Sequence, residues 1–183
     1  MLDIWDNQLA DLAEKVYEYR LNYVNKISNR IQDIHKLITK SGKLEEEIQI
    51  KYSSNCKDKN NFLESLNKLR DFDISRGFTS IGVHRDDLII SINKKPVKVF
   101  GSQGQQRIAV LCLKLSEIEI FKKYKDSTPI LLLDDVFSEL DIQKKNNLLK
   151  YIDNDMQVII TTTDLKNIDK TIIKMWILVI LIY

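Results

Sequence analysis

Four consecutive aliphatic residues, Ile130-Leu131-Leu132-Leu133, run directly into two adjacent acids, Asp134-Asp135. An apolar run without alternation suits a strand covered on both faces, as in a parallel sheet between layers of helices. Paired acids are costly to desolvate unless a cation or hydrogen bonds compensate. They are therefore expected at the carboxyl edge of the sheet, where open α/β folds bind ligands. A Mg2+ ion held through water by Asp134 would supply that compensation, and Asp135 could then orient an attacking water in phosphoryl transfer. Taken alone, the pair equally fits an acidic turn that ends a strand.

The surrounding pattern extends the α/β reading. Helical periodicity runs from Gln105 to Tyr124 through Ile108, Leu111, Leu115 and Ile118. Residues 141–152 read as helix and Val158-Ile159-Ile160 as a second buried strand. Leu88 to Ile92 and Val97 to Phe100 predict a hairpin, joined by Asn93-Lys94-Lys95-Pro96 with the proline at the turn. Strand and helix thus alternate over residues 77–165, with Leu131–Leu133 expected as a central parallel strand.

The first 76 residues differ. Leu9, Leu12, Val16, Tyr19, Tyr23, Ile27, Ile31, Ile34 and Ile38 recur in steps of three and four. They predict one long amphipathic helix ending near Ser41-Gly42, with a stripe narrow enough for an arm packed on one or two other helices. A short strand follows through Ile48, Ile50 and Tyr52. A second helix through Phe62, Leu66, Leu69 and Phe72 stops at Arg76-Gly77. The expected divisions are a helical arm over 1–76, an α/β half-domain over 77–170 and an apolar tail over 171–183.

Composition excludes several classes. With 44% hydrophobic and 30% charged residues the chain is globular. Basic and acidic residues number 13 and 13 over residues 1–76 and 15 and 13 over 77–183, so neither part is a basic nucleic-acid-binding tail. Cys56 and Cys112 lack metal-ligand spacing and read as free thiols. Asp3, Asp6 and Asp11 precede any apolar run, unlike a signal peptide. The tail, TIIKMWILVILIY, is shorter than the ~20 residues a spanning helix needs. A buried terminal strand, or sequence read out of frame, are the alternatives for it.

Two further segments carry chemistry. Phe100-Gly101-Ser102-Gln103-Gly104-Gln105-Gln106-Arg107 leads into the 105–124 helix. A small, glycine-containing loop at a helix N-terminus offers backbone N–H groups and the positive dipole end to an anion; Ser102 adds a hydroxyl, and Gly104 permits close approach. The plainer reading is an N-cap. Ser138-Glu139-Leu140-Asp141 opens the next helix, where Ser138 or Asp141 could serve simply as a cap.

Together, the apolar strand, paired acids and SELD resemble the Walker B and D-loop segment of ABC-type ATPases, including the SMC and RecF families. The 100–107 loop resembles their signature motif. Gly82-Val83-His84-Arg85-Asp86-Asp87-Leu88 is similar to the Gly-Pro-His-Arg-Asp-Asp-Leu of RecF proteins, with Val83 in place of the proline. The resemblance implies the signature and Walker B half of an ABC-type, P-loop NTPase-like α/β head with a helical arm. It implies ATP and Mg2+ as cofactors, with Asp134 at the metal and Asp135 as the catalytic acid. Ser102, Gln103, Gly104, Gln105 and Asp141 would then contact nucleotide, the signature loop reaching ATP held by an opposite subunit. Asp135 stands where many ABC ATPases have the longer glutamate, implying slow hydrolysis. Thr161-Thr162-Thr163 falls where ABC transporters place a histidine; these hydroxyls could approach the γ-phosphate region, but they fit a polar strand end equally well.

No GxxxxGK[ST] occurs in the sequence, and Ser41-Gly42-Lys43 lacks the earlier glycine. RecF proteins carry that loop ahead of the arm, so the chain is expected to be a fragment without activity of its own. The implied function is DNA replication, recombinational gap repair and SOS induction in the cytoplasm, without a membrane. The implied partners are single-stranded or gapped DNA, recombination mediator proteins and a second subunit in an ATP-dependent homodimer. A transporter nucleotide-binding domain is disfavoured by the long helical region and the HRDD segment. A non-catalytic helical interaction remnant is the third reading.

Overall fold

The computed structural model describes residues 1–40, 46–125, 127–152, 156–163 and 177–181. They fall into two compact units, Met1–Lys26 with Ile50–Ile89, and Ile27–Gln49 with Ile90–Tyr183. Helix α1 (Leu2–Thr39) runs through both. So do strands β1 (Ile48–Ser53) and β2 (Asp87–Ile92), which share a sheet of order β1-β2-β3 with β3 (Lys95–Pro96).

In the first unit α2 (Lys59–Arg76) has both ends fixed by local chemistry. Asp58 caps its start by accepting the Asn61 N–H at 2.8 Å. Gly77 ends it at φ 72°, a left-handed conformation that glycine adopts without a Cβ clash, and donates to Asp73 O at 2.8 Å. Phe62 and Leu66 of α2 pack with Ala10, Ala13 and Cys56 in a buried cluster. Arg70 reaches Asp3 and Asp6, at 2.6 Å each. Within the HRDD segment, Asp86 pairs with Arg20 at 2.8 Å and accepts a hydrogen bond from the Tyr52 hydroxyl. Its partners are thus on α1 and β1.

The second unit holds the remaining α1 stripe, with Ile27, Ile31, Ile34 and Ile38 all essentially inaccessible. The predicted hairpin is corrected here. Asn93 and Lys94, at φ 49° and 64°, form a two-residue turn of the kind that matches strand twist. Proline therefore lies past the turn, in β3, where Pro96 registers with Ser91. It has no N–H to extend the ladder, and Val97–Phe100 folds not as a strand but as one helical turn, α3. Gly101 N–H closes that turn on Val97 O at 2.9 Å, and a Cβ at Gly101 would come 2.6 Å from the same oxygen.

Helix α4 (Gln103–Tyr124) precedes β4 (Leu131–Asp134), and α5 (Ile142–Tyr151) precedes β5 (Val158–Thr162). Strand β6 (Ile177–Leu181) completes a parallel sheet of order β4-β5-β6, with Leu131 opposite Val158 and Ile160 opposite Val179. The parallel arrangement matches the sequence reading, but the central position of Leu131–Leu133 does not. Among the described residues β5 is central and β4 lies at the edge; Leu131 and Leu133 are buried whereas Ile130 and Leu132 are 59% and 67% exposed. An unbroken apolar run looks the same whether one face or both are covered, because only alternation would mark an open face. Part of the apolar tail is β6; residues 164–176, 182 and 183, and the expected helix end at Ser41-Gly42, lie outside the described residues. No described helix is long and apolar enough to cross a membrane. Cys56 and Cys112 are buried free thiols, pushed up by burial to about 11 and about 12.

His35 is buried beside the isoleucine stripe, with Nε2 3.6 Å from Glu46 Oε2. Burial holds its pKa below the usual 6.5, partly countered by Glu46. The native state thus keeps His35 neutral while the unfolded chain takes up a proton. Its contribution to stability is complete above the unfolded pKa and falls as pH drops below about 6.5. Urea unfolding between about pH 7.5 and about pH 5 should show a decline that is shallower in His35→Gln; equal slopes would contradict this.

Candidate functional site

The expected site residues lie in two places. The first is the end of β4. Asp134 registers with Thr161 of β5, and the Thr161 hydroxyl donates to Asp134 Oδ1. The Asp135 N–H points to the same threonine, 3.1 Å from its carbonyl and 3.0 Å from Oγ1. Asp135 then turns the chain sharply, at φ 48° and ψ 26°. Left-handed backbone costs ~1–3 kcal/mol for a residue other than glycine, although aspartate tolerates it better than most. The Ser138 hydroxyl donates to Asp135 O at 2.9 Å, and Phe137 and Leu140 are buried beneath the turn. Asp135 Oδ1 is itself buried and has no hydrogen-bond partner among the described residues.

Asp141 closes this segment as the N-cap of α5. Its Oδ1 accepts the Lys144 N–H at 2.9 Å and its Oδ2 pairs with Lys144 Nζ at 2.7 Å. Burial raises the Asp141 pKa, but the Lys144 contacts outweigh it and hold the carboxyl below its ordinary value.

The second place is the loop before α4. Ser102 is the N-cap: its Oγ accepts the Gln105 N–H at 3.2 Å while Gln105 Oε1 accepts the Ser102 N–H at 3.0 Å, a complete capping box. The helix therefore starts at Gln103, two residues earlier than its periodicity suggests. Gln103 and Gly104 occupy its first two positions, where backbone N–H groups have no acceptor within the helix. Gly104 is unconstrained by the chain, since a Cβ there would meet nothing within 4 Å. Gln105 is committed inward, its Nε2 donating to Glu46 Oε1 at 2.8 Å.

Thr161 was legible as a hydroxyl near the γ-phosphate region or at a strand end; its grip on both acids follows from the β4–β5 register. Glu46 carries no such sequence signal, being one of three successive glutamates. The donor set at the β4 end is compatible with a hydrated Mg2+: that ion keeps most of its waters and needs one or two carboxylates, and Asp134 presents an exposed carboxylate oriented by the Thr161 hydroxyl.

No protein-family model matches the chain. Among curated proteins, it is 45% identical over 172 residues to the DNA replication and repair protein RecF of Clostridium perfringens strain 13, covering 92% of this chain. Identity to RecF of Clostridium botulinum strain Eklund 17B is 47% over 175 residues. Over the residues matched, the chain is similar to RecF proteins. It spans about half the length of the curated relatives it matches, 46% and 47% of these two. A solved structure of RecF with ATP, described as a recombination mediator in the RecFOR pathway, superposes with a TM-score of 0.71 at 34% identity. That match covers 90% of this chain and 45% of the solved one. A second RecF structure, with ATPγS, gives the same TM-score at 33% identity. The α/β half with a helical region, expected from the RecF resemblance, is thus the fold these solved chains share with it.

Proposed function

We propose that this chain is the signature and Walker B half of a RecF-type, ATP-dependent DNA-binding protein acting in DNA replication, recombinational gap repair and SOS induction. The observation that carries the reading is the β4 terminus, where Thr161 fastens both acids and leaves Asp135 Oδ1 buried without a partner. Asp134, oriented by the Thr161 hydroxyl, would hold Mg2+ through water. Bound there, the ion would neutralise phosphate charge. Asp135, fixed by its left-handed backbone, would accept a hydrogen bond from the attacking water and orient it. The Ser102 hydroxyl and the N–H groups of Gln103 and Gly104 would donate to phosphate oxygens of ATP held by a second subunit. The Gln105 side chain keeps Ser102 in place, and Asp141 shapes the turn that adjoins the same nucleotide.

On this reading the remaining length of a RecF chain supplies the phosphate-binding loop, and ATP drives homodimer formation. DNA and recombination mediator proteins are the proposed partners and the cytoplasm the proposed compartment. The partners rest on the relatives' names and on the RecFOR description, the compartment on the family resemblance alone.

Gly104 supplies the test. In the chain alone, Gly104→Ala adds a methyl group to open space and should stabilise it, by at most ~1 kcal/mol. In a head completed with the other half of a RecF relative, that methyl group would occupy the space needed by phosphate. ATP-driven pairing, measured by light scattering, should then weaken by about tenfold or more, the loss of one or two hydrogen bonds to a charged group. Unchanged pairing in a stabilised Gly104→Ala protein would contradict the assignment of the loop.

A further inference from the structure

Glu45-Glu46-Glu47 precedes β1, and a charge run of this kind is ordinarily a solvated face. Here the middle glutamate is held from both sides. Gln32 Nε2 donates to Glu46 O at 3.3 Å, and Gln32 Oε1 accepts the Ile48 N–H at 2.7 Å. Asn93 binds the adjoining Glu47 backbone twice, accepting its N–H at 2.9 Å and donating to its carbonyl at 2.8 Å. With the backbone fixed, the Glu46 carboxylate has two neighbours: Gln105 Nε2 at 2.8 Å from Oε1 and His35 Nε2 at 3.6 Å from Oε2.

We infer that Glu46 is a positioning residue for the 102–105 loop, joining it to α1 and to the start of β1. The inference deepens the proposed function and rests on it for its consequence in ATP-driven pairing. The physical reason is the polarity of the glutamine amide. Gln105 must present its oxygen to the Ser102 N–H to complete the capping box, yet a free amide can turn over and present its NH2 instead. A carboxylate only accepts hydrogen bonds, so Glu46 admits the NH2 end alone and directs the oxygen towards Ser102. His35 lies buried on the other side of the carboxylate, 3.6 Å away and neutral, so the hydrogen bond to Gln105 is the contact that orients it. A shift of α1 at Gln32 would therefore reach the loop through Glu46.

Two variants separate an acceptor from its loss. Glu46→Ala removes the group that sorts the two ends of the Gln105 amide, whereas Glu46→Gln keeps an acceptor oxygen. Glu46 is partly exposed, so neither change opens the core. The first readout is amide hydrogen exchange by NMR on the 183-residue chain, without nucleotide. Exchange at Ser102 should quicken by about 2- to 10-fold in Glu46→Ala, the equivalent of one lost hydrogen bond. Because a glutamine at 46 can itself turn over and present its NH2, exchange at Ser102 in Glu46→Gln should fall between wild type and Glu46→Ala, and amides in the middle of α4 should be unaffected in both. Unchanged exchange at Ser102 in Glu46→Ala, equal loss in both variants, or acceleration spread along α4 would each overturn the inference.

The second readout is ATP-driven pairing of a head completed with the other half of a RecF relative. Pairing should weaken in Glu46→Ala by about the same factor, with ATP affinity of the unpaired head unchanged. Equal pairing of wild type and Glu46→Ala would overturn the inference as well. A wild-type head that never pairs with ATP would instead overturn the proposed function, leaving the exchange result to decide on Glu46.

Discussion

Replacing Asp135 with asparagine is expected to slow ATP hydrolysis by about 10²-fold or more in a head completed with the other half of a RecF relative, with ATP affinity nearly unchanged. Asparagine is the informative substitution because it tolerates the left-handed backbone that Asp135 adopts at φ 48°. The turn and the Thr161 contacts to the backbone N–H should therefore survive. What is lost is the negative charge that makes the unpartnered oxygen a strong acceptor for water. Substituting alanine would confound this loss with backbone strain. Phosphate release and nucleotide binding measured on the same preparation separate the two effects. Hydrolysis within about threefold of wild type would remove Asp135 from the chemistry.

The largest effect on stability is expected at Phe137. Its side chain is 1% exposed and anchors the turn between Asp135 and Asp141. Phe137→Ala removes a buried ring and leaves a cavity, which typically costs ~3–5 kcal/mol, a large part of what holds a small domain together. The same change at Val99, 71% exposed, should fall within about 0.5 kcal/mol of wild type. Urea unfolding of both variants gives the comparison. A loss below about 1 kcal/mol at Phe137 would mean that the turn is not held by its packing. Because Phe137 lies in the turn that links Asp135 to Asp141, a destabilised variant should also lose nucleotide-dependent behaviour, which Asp135→Asn separates from folding.

The sequence showed the elements better than the faces they bury. The α1 periodicity is correct, and Ile27, Ile31, Ile34 and Ile38 are buried as it predicts. Nearer the N-terminus, Leu9, Leu12, Tyr19 and Tyr23 continue the same stripe yet are exposed, while Ala10 and Ala13 are buried against Phe62 and Leu66. Hydrophobicity patterns weight large residues, whereas close helix contact there selects small ones. The edge position of β4 was hidden for the reason given above, and the strand expected at Val97–Phe100 failed because Pro96 ends its ladder. The chemistry was more legible because its residues are contiguous: Asp134-Asp135 and Ser102 to Gln105 each lie at one element's end. Thr161 and Glu46 act on them across 26 and 59 residues of sequence, and only sheet register and helix packing bring them close.

The central claim is that these 183 residues hold half of an ATP site, and titration calorimetry with Mg-ATP tests it most directly. The signature loop offers a few hydrogen bonds, worth ~1 kcal/mol each or ~1.5–3 kcal/mol when charge-assisted. Association costs of ~4 kcal/mol or more leave too little to reach the ~8 kcal/mol of a micromolar complex. The chain alone should therefore show no binding in the micromolar range, and mixing it with the other half of a RecF relative should restore it. A dissociation constant near micromolar for the chain by itself would contradict the half-site.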